Sequence, residues 1–432
     1  MAGQTTRGLS VGPDSTNRAL AILGMLVTLL ATMLLASQAV LAKPREVDAY
    51  HWTGVERIIA IGDLHGDYES YMLTLSSAGL IDKHEQWSGG STHLVQLGDI
   101  PDRGADTLKI IAHMKKLAAQ AKKKGGRVHN LMGNHEAMNT YGDLRYVSAG
   151  EYAAFTGRDS AALRDRYYEN VLADIKARDP EKFAVLPESF REEWNTTHPL
   201  GWVEHQQAWN PRWNPKGEYY EWVMETEVAI QINDIVFVHG GLSGNYCKNT
   251  LASLTDKARA ALRESDPSTP DILNDQLGPL WYRGLSGVEP IAPAETVAAI
   301  LDQHGARRIV VGHTPTEGAI WPRYSARVIQ VDTGLSAAYG GHVGYLEVSG
   351  EELFAGYPAG RIPLPHDDVD RADYLRQVIA MQPDNTRLQK QLNDLQQPSP
   401  TYSEGAAAAS ESTGEVAQSQ PESSPPICGI SP

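Results

Sequence analysis

Cysteine is nearly absent: the 432 residues contain only Cys247 and Cys428. Two thiols this far apart exclude a disulfide framework and a thiolate metal site, so any metal must be held by oxygen and nitrogen donors. Cys247 is expected as a buried structural thiol. Basic charge is also scarce, with 38 Lys and Arg against 53 Asp and Glu, a formal net charge of -15. That balance argues against a nucleic-acid-binding surface, because phosphate backbones are gripped by clustered cations. The one dense basic run, Lys115-Lys116 with Lys122-Lys123-Lys124, lies on an alanine-rich helical stretch and is expected to be a solvated face.

Long apolar runs are missing with one exception. Residues 19–42 carry no charge and, as a helix, would extend about 36 Å, enough to cross a bilayer. Arg7 and Arg18 precede the run with only Asp14 opposing them, so the arm 1–18 is expected to stay cytoplasmic and everything after Lys43 to be exported, either periplasmic or membrane-anchored. Ser37-Gln38-Ala39 and Val40-Leu41-Ala42 both end in small residues, as a signal-peptidase site does. The segment is therefore either a cleaved signal peptide or a retained transmembrane anchor.

What the chain does contain is an alternation of short Val/Ile runs with helical patterns across about 50–350, the mark of an α/β sheet domain. Helices are expected over 105–124, stopped by Gly125-Gly126, and over 293–304; Asn233-Asp234 marks a hairpin between 228–232 and 235–238. Residues 144–227 break the rhythm with a charged helical stretch and five tryptophans, Trp194, Trp202, Trp209, Trp213 and Trp222, and are expected to form an inserted cap. The aromatics either anchor this insertion or line a substrate groove. After Pro365 the composition changes. The expected organisation is thus a domain over 43–365, a helical extension over 366–397, and a Ser/Ala/Glu/Pro-rich disordered tail over 398–432.

Five motifs follow one another: Gly62-Asp63-Leu64-His65-Gly66-Asp67, Gly98-Asp99-Ile100-Pro101-Asp102-Arg103-Gly104, Gly133-Asn134-His135-Glu136, His239-Gly240-Gly241 and Gly312-His313-Thr314. Almost every one stands where a short apolar run stops, as after Arg57-Ile58-Ile59-Ala60-Ile61, so the ligands are expected at one rim of strand ends. Such a set suits two divalent metals. A water between them has its pKa lowered and attacks phosphorus in line, and one carboxylate must bridge the ions.

In type, order and position the motifs resemble the calcineurin-like metallophosphoesterases. Asp102-Arg103-Gly104 after Gly98-Asp99, together with Gly133-Asn134-His135-Glu136, resembles the phosphoprotein phosphatase group, and the nearest branch is that of the Shewanella-like protein phosphatases. The resemblance spans about 55–345. It implies two packed mixed β-sheets flanked by helices, with Asp63, His65 and Asp99 on one metal and Asp99, Asn134, His239 and His313 on the other. It also implies His135 as general acid, Asp102 as the carboxylate that orients it, and Arg103 as a phosphate clamp, with Arg283 in Trp281-Tyr282-Arg283-Gly284 as the second arginine. Asp332 is expected behind the ligands rather than among them. Manganese is the expected ion, with iron and zinc as alternatives, since first-row metals share these donors.

Two departures from the group's pattern are Asp67, where animal Ser/Thr phosphatases carry Gln or Asn, and Pro101 in place of a larger residue. The C-terminal signature of the eukaryotic enzymes is not apparent, and Gly334-Leu335-Ser336-Ala337-Ala338-Tyr339-Gly340-Gly341 occupies its place. The resemblance thus implies a phosphomonoesterase acting on phosphorylated protein, at tyrosine or serine/threonine. Two alternatives stay open: a nucleotide or dinucleoside polyphosphate hydrolase, with the tryptophans stacking a base, and a membrane-tethered binding protein without catalysis.

Overall fold

The central strands are short and mostly apolar, as strands buried on both faces must be. In the computed structural model, which describes residues 45–266, 268–286, 292–367, 370–396 and 428 together with 1 and 3, they form two mixed sheets. One has the order β1 (Arg45–Asp48), β2 (His51–Thr53), β6 (Ala229–Ile232), β7 (Ile235–Val238), β8 (Arg308–Val311), β10 (Val328–Gln330), β9 (Trp321–Arg323). The other runs β13 (Gly360–Pro363), β12 (Glu352–Tyr357), β11 (Tyr345–Ser349), β3 (Arg57–Ile61), β4 (His93–Gln96), β5 (Arg127–Asn130).

Alternation along each strand sorts its side chains between two cores. Ile58 and Ala60 of β3, Val95 of β4, Ile230 of β6, Phe237 of β7, Val310 of β8 and Leu346 of β11 meet between the sheets. Ile59, Ile61, Leu94, Val236, Val238, Ile309 and Val311 point the other way, into the core shared with the helices. The hairpin at Asn233-Asp234 pairs Ile232 with Ile235, and Asn233 adopts the left-handed conformation such a turn needs (φ 55°). Strands β3, β4 and β5 are mutually parallel, as are β7 and β8, so their carboxyl ends gather at one rim.

The helices are α1 (Tyr68–Ser77), α2 (Thr107–Lys123), α3 (Asn134–Tyr141), α4 (Ala149–Ala154), α5 (Ser160–Arg178), α6 (Pro180–Ala184), α7 (Phe190–Thr197), α8 (Trp202–Trp209), α9 (Glu218–Glu225), α10 (Leu251–Glu264), α11 (Ala294–His304), α12 (Arg371–Met381) and α13 (Thr386–Gln396). Between 149 and 225 no strand occurs. Rings hold this stretch together: Trp209 is fully buried and stacks on Tyr219 at 5.2 Å, while Tyr167 meets Trp202 at 5.4 Å and Trp213 at 4.8 Å. The tryptophans therefore anchor the segment.

One expectation is overturned. Cys247 and Cys428 are joined by a disulfide with Cα atoms 5.8 Å apart, although 181 residues separate them along the chain. Sequence distance is no guide to spatial distance once a chain folds back on itself, and Cys247 is neither free nor a thiol. Cys428 packs against the helix-side core. The apolar run 19–42 and residues 398–427 lie outside the described residues, and among the described residues no helix is long and apolar enough to cross a membrane.

Candidate active site

Each motif begins where a parallel strand ends: Asp63 and His65 after β3, Asp99 after β4, Asn134 and His135 at the start of α3 after β5, His239 after β7 and His313 after β8. The turns are sharp. His65, Asp99, Asp102, Arg103 and His313 all have positive φ (44°, 58°, 74°, 65° and 65°), a conformation that non-glycine residues adopt only when their surroundings compel it. Hydrogen bonds supply the compulsion: the amides of Leu64 and His65 donate to the Asp99 carbonyl at 2.9 and 3.0 Å, and that of Gly66 to Ile100 at 2.8 Å. At Gly98 (φ 101°) a Cβ would come within 2.5 Å of the Gly133 nitrogen, so the second and third motifs can pack only through glycine.

Glu136, with no role assigned from sequence beyond a backbone pairing, ties these loops together. Fully buried, it accepts from the amides of Asp99 (2.9 Å), Ile100 (2.8 Å) and Gly133 (2.9 Å). Burial and the charge of Asp99 push its carboxyl up to about 7.

The tautomers can be read from the second nitrogen of each ring. His239 Nδ1 donates to the Leu97 carbonyl at 2.8 Å, leaving the Nε2 lone pair facing Asn134 Oδ1 at 3.0 Å, His313 Nδ1 at 3.2 Å and Asp99 Oδ2 at 3.3 Å. His65 Nδ1 likewise donates to the Pro101 carbonyl, and its Nε2 stands 3.9 Å from both Asp63 Oδ2 and Asp99 Oδ2. Acceptor facing acceptor is repulsive unless a cation lies among them. The buried carboxylates say the same: Asp63 is pushed well above its usual range by burial and by its neighbours Asp332 and Asp99. Asp332, which rises to about 6 through burial, has an Oδ2 with no hydrogen-bond partner. The residues present therefore fit divalent cations held by O and N donors, Asp99 being common to two clusters of close-set donor atoms, His65–Asp99–His135 and Asp99–His239–His313, neither of which includes Asp63.

Beside the ligands is a dyad. His135 Nδ1 donates to Asp102 Oδ2 at 2.5 Å, and Asp102 Oδ1 accepts from Asn139 Nδ2 at 3.1 Å. Burial opposes the imidazolium, but Asp99 and Asp102 raise the His135 pKa above its ordinary value. A cavity of about 80 Å³ is lined by Asp63, His65, Asp99, His135, Arg283, His313, Pro315 and Tyr339. Arg283 donates to the His313 carbonyl at 2.7 Å and to Thr314 Oγ1 at 3.0 Å. The Arg103 guanidinium lies over the Tyr146 ring at 3.9 Å and reaches Tyr339 at 5.7 Å. All the residues singled out from sequence thus converge.

A hollow of about 400 Å³ at Tyr246, Asp271 and Asp275 contains none of them. Tyr339 was not singled out, although it lies within the glycine-bounded run 334–341 noted above; Asp67 holds that run by accepting from the Ala337 amide at 2.8 Å. Tyr146 and Glu151 carry no signal in the sequence.

The matching family model is that of the calcineurin-like phosphoesterases, over residues 56–317. The chain belongs to that family. Its relatives include Shewanella-like protein phosphatase 2 of Arabidopsis thaliana, 31% identical over 291 residues (65% of this chain and 72% of that one). Shewanella-like protein phosphatase 1 of Plasmodium berghei is 30% identical over 297 residues, 67% of this chain and 69% of that one. Among solved structures it is similar to the cold-active protein-tyrosine phosphatase of a psychrophilic Shewanella species, with a TM-score of 0.54 and 26% identity over 74% of this chain and 83% of that one. The protein is accordingly a metallophosphatase, built on the two-sheet fold of this family.

Proposed function

We propose that this phosphatase removes phosphate from phosphorylated protein, at tyrosine or at serine/threonine, with two divalent ions and with His135 as general acid. The observation that carries the reading is the convergence of the donors of five motifs on Asp99, with the His135–Asp102 dyad at the cavity wall. Ions held by Asp63, His65, Asp99, Asn134, His239 and His313, manganese being the expected metal, would acidify a water and neutralise phosphoryl oxygens.

The chain's own groups do the rest. Arg283 lines the cavity and Arg103 stands at its edge beside Tyr339, and their planar forks suit phosphoryl oxygens. His135 gives its Nε2 proton to the departing oxygen while Asp102 stabilises the imidazole through Nδ1. A protein substrate is supported by the names of the relatives and by the packing of the insertion, whose tryptophans pack against neighbouring rings and do not line the cavity. A nucleotide hydrolase loses the base-stacking role that those rings would have provided.

Export is supported by the Cys247–Cys428 disulfide, because such bonds persist in oxidising compartments. Membrane attachment through 19–42, if uncleaved, belongs to the same proposal. The test is a substrate panel on the full-length, manganese-loaded protein: phosphotyrosine peptide, phosphoserine peptide and diadenosine tetraphosphate. Turnover of either peptide above the dinucleotide is expected, and preference for the dinucleotide overturns the reading.

A further inference from the structure

The loop that carries Asp102 and Arg103 is gripped from outside the five motifs. Five residues into α3's following turn, the chain enters a short stretch, 146–151, that leads into the helical segment, and this stretch touches the loop at four points. The Arg103 amide donates to the Tyr146 carbonyl at 3.0 Å, the Asp102 amide to Glu151 Oε2 at 2.9 Å, and Ser148 Oγ to the Gly104 carbonyl at 2.6 Å. The Tyr146 ring lies under the Arg103 guanidinium and 5.1 Å from the His135 ring.

Glu151 is the part of this grip that a surface helix has no ordinary reason to contain. It sits on α4, which runs only from Ala149 to Ala154, yet its side chain is fully buried and turned to the Asp102 amide, with Thr107 as a second neighbour of the carboxyl. That amide belongs to a residue held at φ 74°, followed by another at 65°. Two consecutive left-handed non-glycine residues are unstable unless their amides are fixed from outside. The orientation of this peptide decides where the Asp102 carboxylate stands under His135. Burial and the Asp102 charge push the Glu151 carboxyl up to about 8, and glutamine keeps the acceptor oxygen that the bond to the Asp102 amide needs.

We propose that Glu151 is a positioning residue for catalysis: through the Asp102 amide it holds the left-handed Asp102–Arg103 turn, and thereby the carboxylate that orients the general acid. The proposal rests on His135 acting as that acid. Glu151 itself touches no substrate; it works through Asp102.

The test uses two aryl phosphates on the full-length, manganese-loaded enzyme. Phenoxide needs a proton as it leaves, whereas 2,4-dinitrophenoxide leaves unaided. Glu151→Leu, which keeps the volume and removes the acceptor, is expected to lose about 100-fold in kcat on phenyl phosphate but only about tenfold or less on 2,4-dinitrophenyl phosphate, since a general acid matters only for the first. Glu151→Gln restores both. A purely structural role predicts equal losses on the two esters, and that result, or Gln behaving as Leu does, overturns the proposal. Should the Leu variant fail to fold, Ser148→Ala releases the same loop and must show the same bias toward phenyl phosphate; an unbiased loss is equally fatal. His135→Asn separates the two ideas. If it shows no bias, the acid assignment fails and the Glu151 proposal with it; if it shows the bias and Glu151→Leu does not, only the Glu151 proposal fails.

Discussion

The strand-end loops and the helical segment 149–225 are neighbours held by different physics. In the loops, five non-glycine residues sit at positive φ, amides from separate motifs are satisfied by Asp99 and Glu136, and Gly98 has no room for a methyl group. In the segment, adhesion comes from rings on rings, and buried polar atoms such as Trp209 Nε1 and both nitrogens of His205 have no hydrogen-bond partner. Directional bonds set atoms to within tenths of an ångström, which a cluster of ligands needs; apolar contact area is large but tolerant of small shifts. Where the segment begins, at 146–151, three hydrogen bonds to the Asp102–Gly104 loop join the ring contacts of Tyr146.

This contrast can be broken most sharply at Asp99, which belongs to both donor clusters. Asp99→Asn should cost more turnover than His135→Asn, for which the proposed acid role sets a loss of about 10²–10⁴-fold, and metal analysis of the purified variant should show depleted ions while circular dichroism stays native. Retained metal with full turnover would dissolve the comparison. In the segment the reverse is expected. Trp209→Ala, at a fully buried ring, should lower unfolding free energy by about 3–5 kcal/mol in denaturant titrations while the ratio of rates on the two aryl phosphates stays at the wild-type value.

Smaller effects refine the picture. Cys428→Ser opens the bond that closes 181 residues of chain and should cost about 2–4 kcal/mol of stability in the oxidised protein, with kcat unchanged. Reduction of the wild type should reproduce that loss. Arg283→Lys keeps the charge but loses the planar fork, and an effect of about 1.5 kcal/mol, roughly tenfold in kcat/KM, is expected. An unchanged value would move Arg283 from phosphate binding to holding the His313 carbonyl.

The legibility of the molecule in its sequence follows the same division. Motifs at strand ends are legible because a strand must stop where its apolar run stops, and a small motif must then fit the corner; this is why Asp63, His65, Asp99, Asn134, His239 and His313 could be placed at one rim before any fold was known. The hairpin at Asn233-Asp234 and the helix stopped near Gly125-Gly126 are legible for the same local reason. Illegible were contacts set by distance in space. Tyr146 and Tyr339 come from segments almost two hundred residues apart to meet Arg103, and nothing in either neighbourhood marks them. Whether the tryptophans faced a groove or one another was equally undecidable from spacing, since both need rings at helical intervals.

By itself, then, the sequence determined the chemistry available: oxygen and nitrogen donors in five motifs, and short apolar runs that end at them. Those features are local, dictated by the ends of strands and by what each side chain can donate or accept. Only the tertiary structure decided that Cys247 meets Cys428, that Glu136 laces the second and third motifs together, and that Glu151 reaches the Asp102 amide. Each of these depends on two sheets closing around one core, and the free energy that closes them is spread over the whole buried surface, where no short stretch of sequence records it.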